Sequence, residues 1–469
     1  MRSPRVAPAT ASTSGVEPVD GDSIHATVPF VDVRILASEA AAGIGARLVG
    51  PDVWFEGASF DSRTITPGQL FVPIVAEHDG HDFIGAAREA GAVVHLTSEP
   101  DEYRRDGTAV EVADTGRALM ALAGWARSRL PSRVVGITGS VGKTSTKDLC
   151  AAACAAGRRT IANERSFNNE QGLPITILGA PPDTEVLVVE MGMRWFGEIS
   201  QLCEVARPVI GVVTTVGHSH TELLGGIDGV ARAKRELVEA LPAGGTAVLN
   251  ADDARVLAMS KHTGAAVLTF GGGDADVSIS NLTLDAVARP RFTVHTPWGS
   301  GDVRLAVSGA HMATNAAAAI AVAGAVGVDL ADALAALEHA RISGMRMEVS
   351  PGPGGSTVVN DAYNANPTSM YAALDALAAV EATRRIAVLG AMAEIDDPEA
   401  AHRAIAASAS ARGIELIAVG TDAYGVDQVT DPVAAVGELG PGDVVLVKAS
   451  RAAGLERVVH ALLASTRPE

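Results

Sequence analysis

Long apolar runs, cysteines and an excess of basic charge are all missing from this chain, and each absence removes a class of function. No apolar run reaches the roughly 18 residues of a membrane-spanning helix, so no transmembrane segment is expected. Cys150, Cys154 and Cys203 are too few for a disulfide framework or a four-cysteine zinc site, which fits a reducing cytoplasm. With 37 Lys and Arg against 55 Asp and Glu, the net charge of −18 argues against a nucleic-acid or anionic-membrane surface. Aromatic residues make up 4% of the chain, so alanine and valine must fill most of any core. The first 28 or so residues are rich in Ser, Thr, Pro and Ala, and Arg2 and Arg5 are followed by no apolar segment of signal-peptide length. That stretch reads as a disordered extension.

What remains is long enough for several cores: 469 residues imply two to four domains, with three the central expectation. The most informative stretch is residues 136–146, Gly-Ile-Thr-Gly-Ser-Val-Gly-Lys-Thr-Ser-Thr, after the apolar Val134-Val135. A buried strand that ends in glycines and opens into a helix makes a phosphate cradle of backbone N–H groups and the positive end of the helix. Lys143 would reach the β/γ-phosphates and the Thr144 hydroxyl a Mg²⁺ ion. Gly139, Ser140, Gly142, Lys143, Thr144 and Ser145 are therefore candidate ATP-binding residues. The spacing is shorter than the standard phosphate loop, because Ile137 stands five positions before Gly142.

Around this motif the chain alternates strands and helices. Residues 29–130 mix short strands (54–55, 69–75, 93–96) with a helix over 83–90, and the chain near 127–131 reads as a linker. From 131 to 345, apolar strands at 134–138, 185–190, 209–216, 247–250 and 267–270 predict a parallel α/β sheet. A more polar, strand-rich passage over 277–305 interrupts it before an Ala-rich helix over 314–326. Residues 346–469 repeat the alternation, with strands at 357–361, 386–389, 416–419 and 444–447. The expected class is α/β in three domains, with a central ATPase sheet of phosphate-loop type and a Rossmann-like C-terminal domain.

Glu190 ends an apolar strand in the domain that carries the phosphate loop, a usual place for a Mg²⁺ ligand. The strand over 209–216 empties into Gly217-His218-Ser219-His220, where no third zinc ligand falls at suitable spacing. Lys234, inside a helical stretch, reads from periodicity alone as a solvated charge. Asn168 and Asn169 sit in a polar turn, and Arg346 and the loop Asp361-Ala-Tyr363-Asn364-Ala-Asn366-Pro367 open the third block. Each is a weak signal by itself.

Taken together, these segments resemble the Mur ligase superfamily of ATP-dependent amide-bond-forming enzymes, over nearly all of the chain after the extension. Thr138-Gly139-Ser140-Val141-Gly142-Lys143-Thr144 looks like that family's short phosphate loop. The resemblance implies that His220 and Lys234 are a catalytic pair, with Lys234 carbamylated and helping His220 hold a second Mg²⁺ beside the ion on Thr144 and Glu190. It implies that Asn315 contacts adenine, that Arg346 is the hinge arginine, and that Asp361 belongs to the nucleotide site. The loop 361–370 is similar to the branch that adds D-alanyl-D-alanine to a UDP-N-acetylmuramoyl tripeptide, which makes Tyr363, Asn364, Asn366, Asn168 and Asn169 candidate substrate contacts. Asp61-Ser62-Arg63 resembles that branch's UDP-binding first domain, so Ser62 and Arg63 join them. Lys448-Ala449-Ser450-Arg451 resembles the branch's Lys-Gly-Ser-Arg, and Ala391 departs from its usual Asp. The implied reaction is ATP-driven activation of a peptide carboxylate as an acyl phosphate, then aminolysis by D-alanyl-D-alanine, on a monomer. Another amide ligase of the superfamily, with a different peptide or amino acid, is the alternative.

Overall fold

A computed structural model of the protein describes residues 34–99, 107–164, 166–219 and 221–464. The extension 1–28 and His220 lie outside the described residues. Three main sheets organise the rest. A five-stranded sheet near the N-terminus orders its strands Arg47–Val49, Thr108–Glu111, Val94–Thr97, Leu70–Phe71 and Ala58–Ser59, all parallel except the first pair.

The central sheet has nine strands. Arg133–Thr138 lies between Val186–Glu190 and Ile210–Val213, with Thr160–Ala162 at one edge and Thr246–Asn250 and Ala266–Gly271 beyond the other side, all parallel. Strands covered on both faces read as unbroken apolar runs, and Val134, Val135, Ile137, Leu187, Val188 and Val189 are fully buried. The polar strand-rich passage does not break this sheet. Val277–Leu284 continues it in parallel, and Pro290–Thr296 and Gly299–Arg304 add two antiparallel strands. The helix His311–Ala325 packs on one face beside Lys143–Ala155. Apart from half-buried Thr314, it is buried all round from Met312 to Ala323, which accounts for its run of alanines: small side chains let it approach the sheet closely.

The C-terminal sheet orders Glu348–Pro351, Thr357–Asn360, Asp443–Lys448, Arg384–Leu389, Glu415–Val419 and Gln428–Val429, antiparallel only at the first pair.

One expected strand is shorter than its sequence suggests, and a helix for which no expectation was made precedes the linker. The strand expected over 209–216 stops at Val213, where its partner strand ends at Thr138 and the phosphate loop begins. Residues 214–217 peel away to brace that loop. The chain before 127 is a helix, Thr115–Arg127, with Asp114 accepting from the Arg117 amide as its cap. Its buried face, Leu119, Leu122, Ala123 and Ala126, has the three-and-four spacing of a helix. The linker itself is pinned: the Arg127 guanidinium donates to the carbonyls of Ala206, Leu130 and Ser132.

Candidate active site

The phosphate loop is rigid because its neighbours leave no slack. Gly139 has φ +152°, and a Cβ there would fall 1.8 Å from Thr214 Oγ1. Gly142 caps the helix Lys143–Ala155 at φ +86°, and a Cβ on it would meet Asn315 Oδ1 at 2.8 Å. Asn315 therefore flanks the loop directly. The Ser140 amide donates to Thr215 O, and Ser140 Oγ both donates to Gly217 O and accepts from Gly217 N. Ser140 thus spends its hydroxyl on the brace from 214–217. The first helical bond runs from Thr146 N to Gly142 O, so the amides of Lys143, Thr144 and Ser145 lack helical carbonyls, as an anion site requires. Lys143 Nζ donates to Gly139 O at 2.8 Å. Burial lowers the Lys143 pKa, an effect that Glu190 opposes and Arg346 reinforces.

Glu190 faces this loop from the end of the neighbouring strand and is 1% exposed. Thr144 Oγ1 donates to its Oε2 at 2.5 Å, Asn168 Nδ2 donates to its Oε1 at 2.7 Å, and its own amide donates to Asn163 Oδ1. A buried carboxylate touching a hydroxyl is a hard-oxygen donor set, and it fits a Mg²⁺ ion.

Lys234 is the correction to the sequence reading. It is not a solvated charge but a buried one, 2% exposed, on the helix Ile227–Glu239. The reason lies in the sheet. Gly136 and Gly211 are paired on adjacent strands, and Cβ atoms there would meet Leu237 at 3.0–3.2 Å. Two missing side chains let Leu237 seat the helix on the sheet, and Lys234, one turn earlier, is carried to the cleft. Among the described residues it has no hydrogen-bond or ion-pair partner. Burial drives its pKa well below the ordinary lysine value, with Lys143 adding to the shift and Glu190 opposing it.

The third block closes the cleft. Arg346 Nη2 donates to Thr144 Oγ1 at 3.0 Å and to Ser166 Oγ at 2.8 Å, and its guanidinium lies 3.9 Å from the centre of the Tyr363 ring. Lys448 Nζ donates to Asp361 Oδ2 at 2.6 Å and to Asn364 O, while Asp361 Oδ1 accepts from the Met347 amide.

One cleft of about 520 Å³ is lined by Ser140, Gly142, Lys143, Thr144, Ser145, Glu190, Lys234, Asn315, Arg346 and Asp361, together with Asn168, Asn169, Tyr363, Asn364 and Asn366. Gly139 is not among the lining residues and lies against Thr214. Several of these amides are already engaged: Asn168 orients Glu190, Asn169 Oδ1 accepts from the Gln171 and Gly172 amides, and Asn366 caps the helix Pro367–Ala379. Ser62 and Arg63 are not among the residues lining the cleft. They form a turn on the N-terminal sheet, where the Arg63 guanidinium, 85% exposed, folds back on both Asp61 carboxylate oxygens. Sequence reading missed Ser166, which carried no motif. It also gave no role to Lys448, although a charge ending the buried strand Asp443–Lys448 is the same signal that marked Glu190.

Comparison with known proteins agrees with this geometry. The Mur ligase middle domain matches residues 137–323, and the Mur ligase glutamate ligase domain matches residues 345–451. The UDP-N-acetylmuramoyl-tripeptide–D-alanyl-D-alanine ligase of Mycobacterium tuberculosis strain H37Rv is 41% identical, over 86% of this chain and 91% of its own length. The chain belongs to this family of Mur ligases. Its three-domain α/β architecture is that of the solved members. The Acinetobacter baumannii ligase superposes with a TM-score of 0.81 at 25% identity, covering 92% of this chain and 98% of that one. MurF from Thermotoga maritima, solved in complex with ADP, gives a TM-score of 0.75 at 25% identity, covering 88% of this chain and 98% of that one.

Proposed function

We propose that the protein is the ATP-dependent ligase that joins D-alanyl-D-alanine to a UDP-N-acetylmuramoyl tripeptide in peptidoglycan precursor synthesis. The observation that carries this reading is the meeting of the phosphate loop, Glu190, buried Lys234 and Arg346 in one cleft, in a chain of this family.

In this reading the tripeptide carboxylate attacks the γ-phosphate of ATP, ADP leaves, and the amine of D-alanyl-D-alanine displaces phosphate from the acyl phosphate. The loop amides and Lys143 bind the phosphates and neutralise charge on the transferring group, and Arg346 adds a second cation at Thr144. Asn315, against Gly142, takes the nucleotide side. Thr144 and Glu190 would hold one Mg²⁺. A second ion needs an anion where Lys234 stands, which a carbamate would supply, with His220 as its companion. Mg²⁺ supplies Lewis-acid stabilisation of phosphate charge when bound. Tyr363, Asn364 and Asn366 line the side of the cleft where the peptide would enter, and Ser62 and Arg63 are reserved for the UDP end. Closure of the domains over the cleft would keep water from the acyl phosphate.

We read 29–130, 131–345 and 346–469 as the three domains, a division that the separate sheets support. The protein is read as a monomer of the cytoplasm, a compartment that three buried free cysteines suit. The test is turnover of UDP-muramoyl tripeptides with D-alanyl-D-alanine and ATP, following phosphate release and product mass. Phosphate release without a pentapeptide product would overturn the reading.

A further inference from the structure

The connector between the helix Leu330–Glu338 and the strand Glu348–Pro351 carries Arg346, and its backbone is strained there. Met345 and Met347, on either side of the arginine, have φ of +60° and +50°. Left-handed conformations at two non-glycine residues persist only where the surroundings enforce them. On the C-terminal side the enforcing bonds are Met347 N to Asp361 Oδ1 and Tyr363 N to Met345 O. On the central side one residue holds the connector upstream of the arginine. Asp148 Oδ2 accepts from both the backbone N–H and the hydroxyl of Ser343, at 2.7 and 2.8 Å.

Asp148 lies on the phosphate-loop helix, four residues after Thr144 and so about one turn away on the same side. Its second oxygen, Oδ1, pairs at 2.9 Å with the Nζ of Lys147, which is 2% exposed and also donates to Asn163 O at 2.6 Å. Asn163 in turn accepts from the Glu190 amide through Oδ1. A continuous chain of polar contacts therefore runs from the backbone of Glu190 through Asn163, Lys147 and Asp148 to Ser343, three residues before Arg346. Asn163, Lys147, Asp148 and Ser343 are not among the residues that line the cleft.

We propose that Asp148 is a positioning residue that ties the phosphate-loop helix to the interdomain connector and thereby sets Arg346 over Thr144. Two anchors of the arginine then ride on one helix: its tip is bonded to Thr144, and its backbone is held through Ser343 by Asp148. When the helix moves, the arginine moves with it, so closure of the third block delivers the guanidinium to the phosphate loop in register. The inference rests on the ligase reading above.

The test is a double-mutant cycle between Asp148→Ala and Arg346→Ala, read as kcat and as KM for ATP. Asp148→Ala lowers kcat about 10- to 100-fold, the scale of a misplaced catalytic group, and leaves KM for ATP close to wild type. In the Arg346→Ala background the same change costs less than about twofold, because the residue it positions is gone. Losses that multiply, or an unchanged kcat in folded Asp148→Ala, overturn the proposal. If Asp148→Ala does not accumulate as folded protein because Lys147 loses this carboxylate, Ser343→Ala replaces it in the cycle. That variant removes one of the two donors and leaves the Lys147 pair intact. A smaller kcat loss that vanishes in the Arg346→Ala background supports the proposal, and a loss that persists there overturns it. Failure of the wild type to form pentapeptide product sinks the ligase reading instead, so the two failures are distinct.

Discussion

Two lysines face the same cleft from opposite blocks, and they are buried to nearly the same degree: Lys234 at 2% and Lys448 at 3% exposure. Their surroundings differ completely. Lys448 has the Asp361 carboxylate at 2.6 Å and the Asn364 carbonyl at 2.9 Å. Lys234 has no such partner among the described residues, and Lys143 is near enough to push its pKa further down. A buried cation with a counter-ion is a fixed structural charge, and Lys448 uses it to hold the loop that meets the connector at Met347. A buried lysine without one is driven toward the neutral amine, which is the nucleophilic form. The central block thus keeps a buried amine without a counter-ion among the described residues, and the C-terminal block keeps a strut.

The largest effect that could break this contrast is on activity. Lys234→Ala should reduce turnover by about 1000-fold or more, the loss expected when an electrostatic centre is removed from a phosphoryl-transfer site. Formate or acetate should restore part of it by supplying the missing carboxylate. Lys234→Arg should stay inactive, since it keeps the charge and cannot form the same carbamate. Activity in the arginine variant would make Lys234 an ordinary cation. Lys143→Ala should be comparably inactive but unresponsive to either acid, which separates the two lysines of the central floor.

Stability should show the opposite ranking. Asp361→Ala strands Lys448 as an unpaired buried charge, at a cost of about 3–5 kcal/mol, seen as a fall in the urea midpoint at unchanged slope. Replacing the pair by apolar residues, Lys448→Met with Asp361→Leu, should recover most of that loss, because desolvating the two ions costs about what their attraction returns. Activity should not recover with it, since Asp361 also holds the Met347 amide. Lys234→Met, by contrast, removes a desolvated amine and strands nothing, so its thermal midpoint should hold or rise. A large fall there would mean that Lys234 has a structural partner after all.

The sequence made some of this contrast visible and hid the rest for a physical reason. Phosphate loop, strand-end Glu190 and the alternation of the central block are local patterns, and each appears where its spacing places it. Burial of Lys234 is not local. It depends on Gly136 and Gly211 meeting across two strands 75 residues apart in sequence, which no helical periodicity records. The resemblance supplied Lys234 where the pattern could not. Ser166 and the Asp148–Ser343 link were invisible for the same reason: each becomes a contact only when the connector folds back on the phosphate-loop helix. Ser62 and Arg63, chosen by motif for the UDP end of the substrate, sit on the N-terminal sheet outside the cleft.

The smallest expected effect comes from an ion pair at the mouth of this same cleft. Arg194 Nε lies 3.9 Å from Glu394 Oε1, joining the loop after the Glu190 strand to the loop after Arg384–Leu389. The side chains are 71% and 42% exposed, so water screens the attraction and each long side chain loses rotamer freedom on pairing. If burial is what makes the Asp361–Lys448 pair indispensable, this exposed pair should contribute about 0–1 kcal/mol. Arg194→Ala should therefore move the urea midpoint little, and raising salt should shrink even that difference, because the Debye length falls to about 3 Å at 1 M. The double-mutant cycle with Glu394→Ala measures the coupling directly. A coupling above about 2 kcal/mol, insensitive to salt, would mean that the pair is desolvated when the cleft closes, and exposure in this state would not be the right measure of its worth.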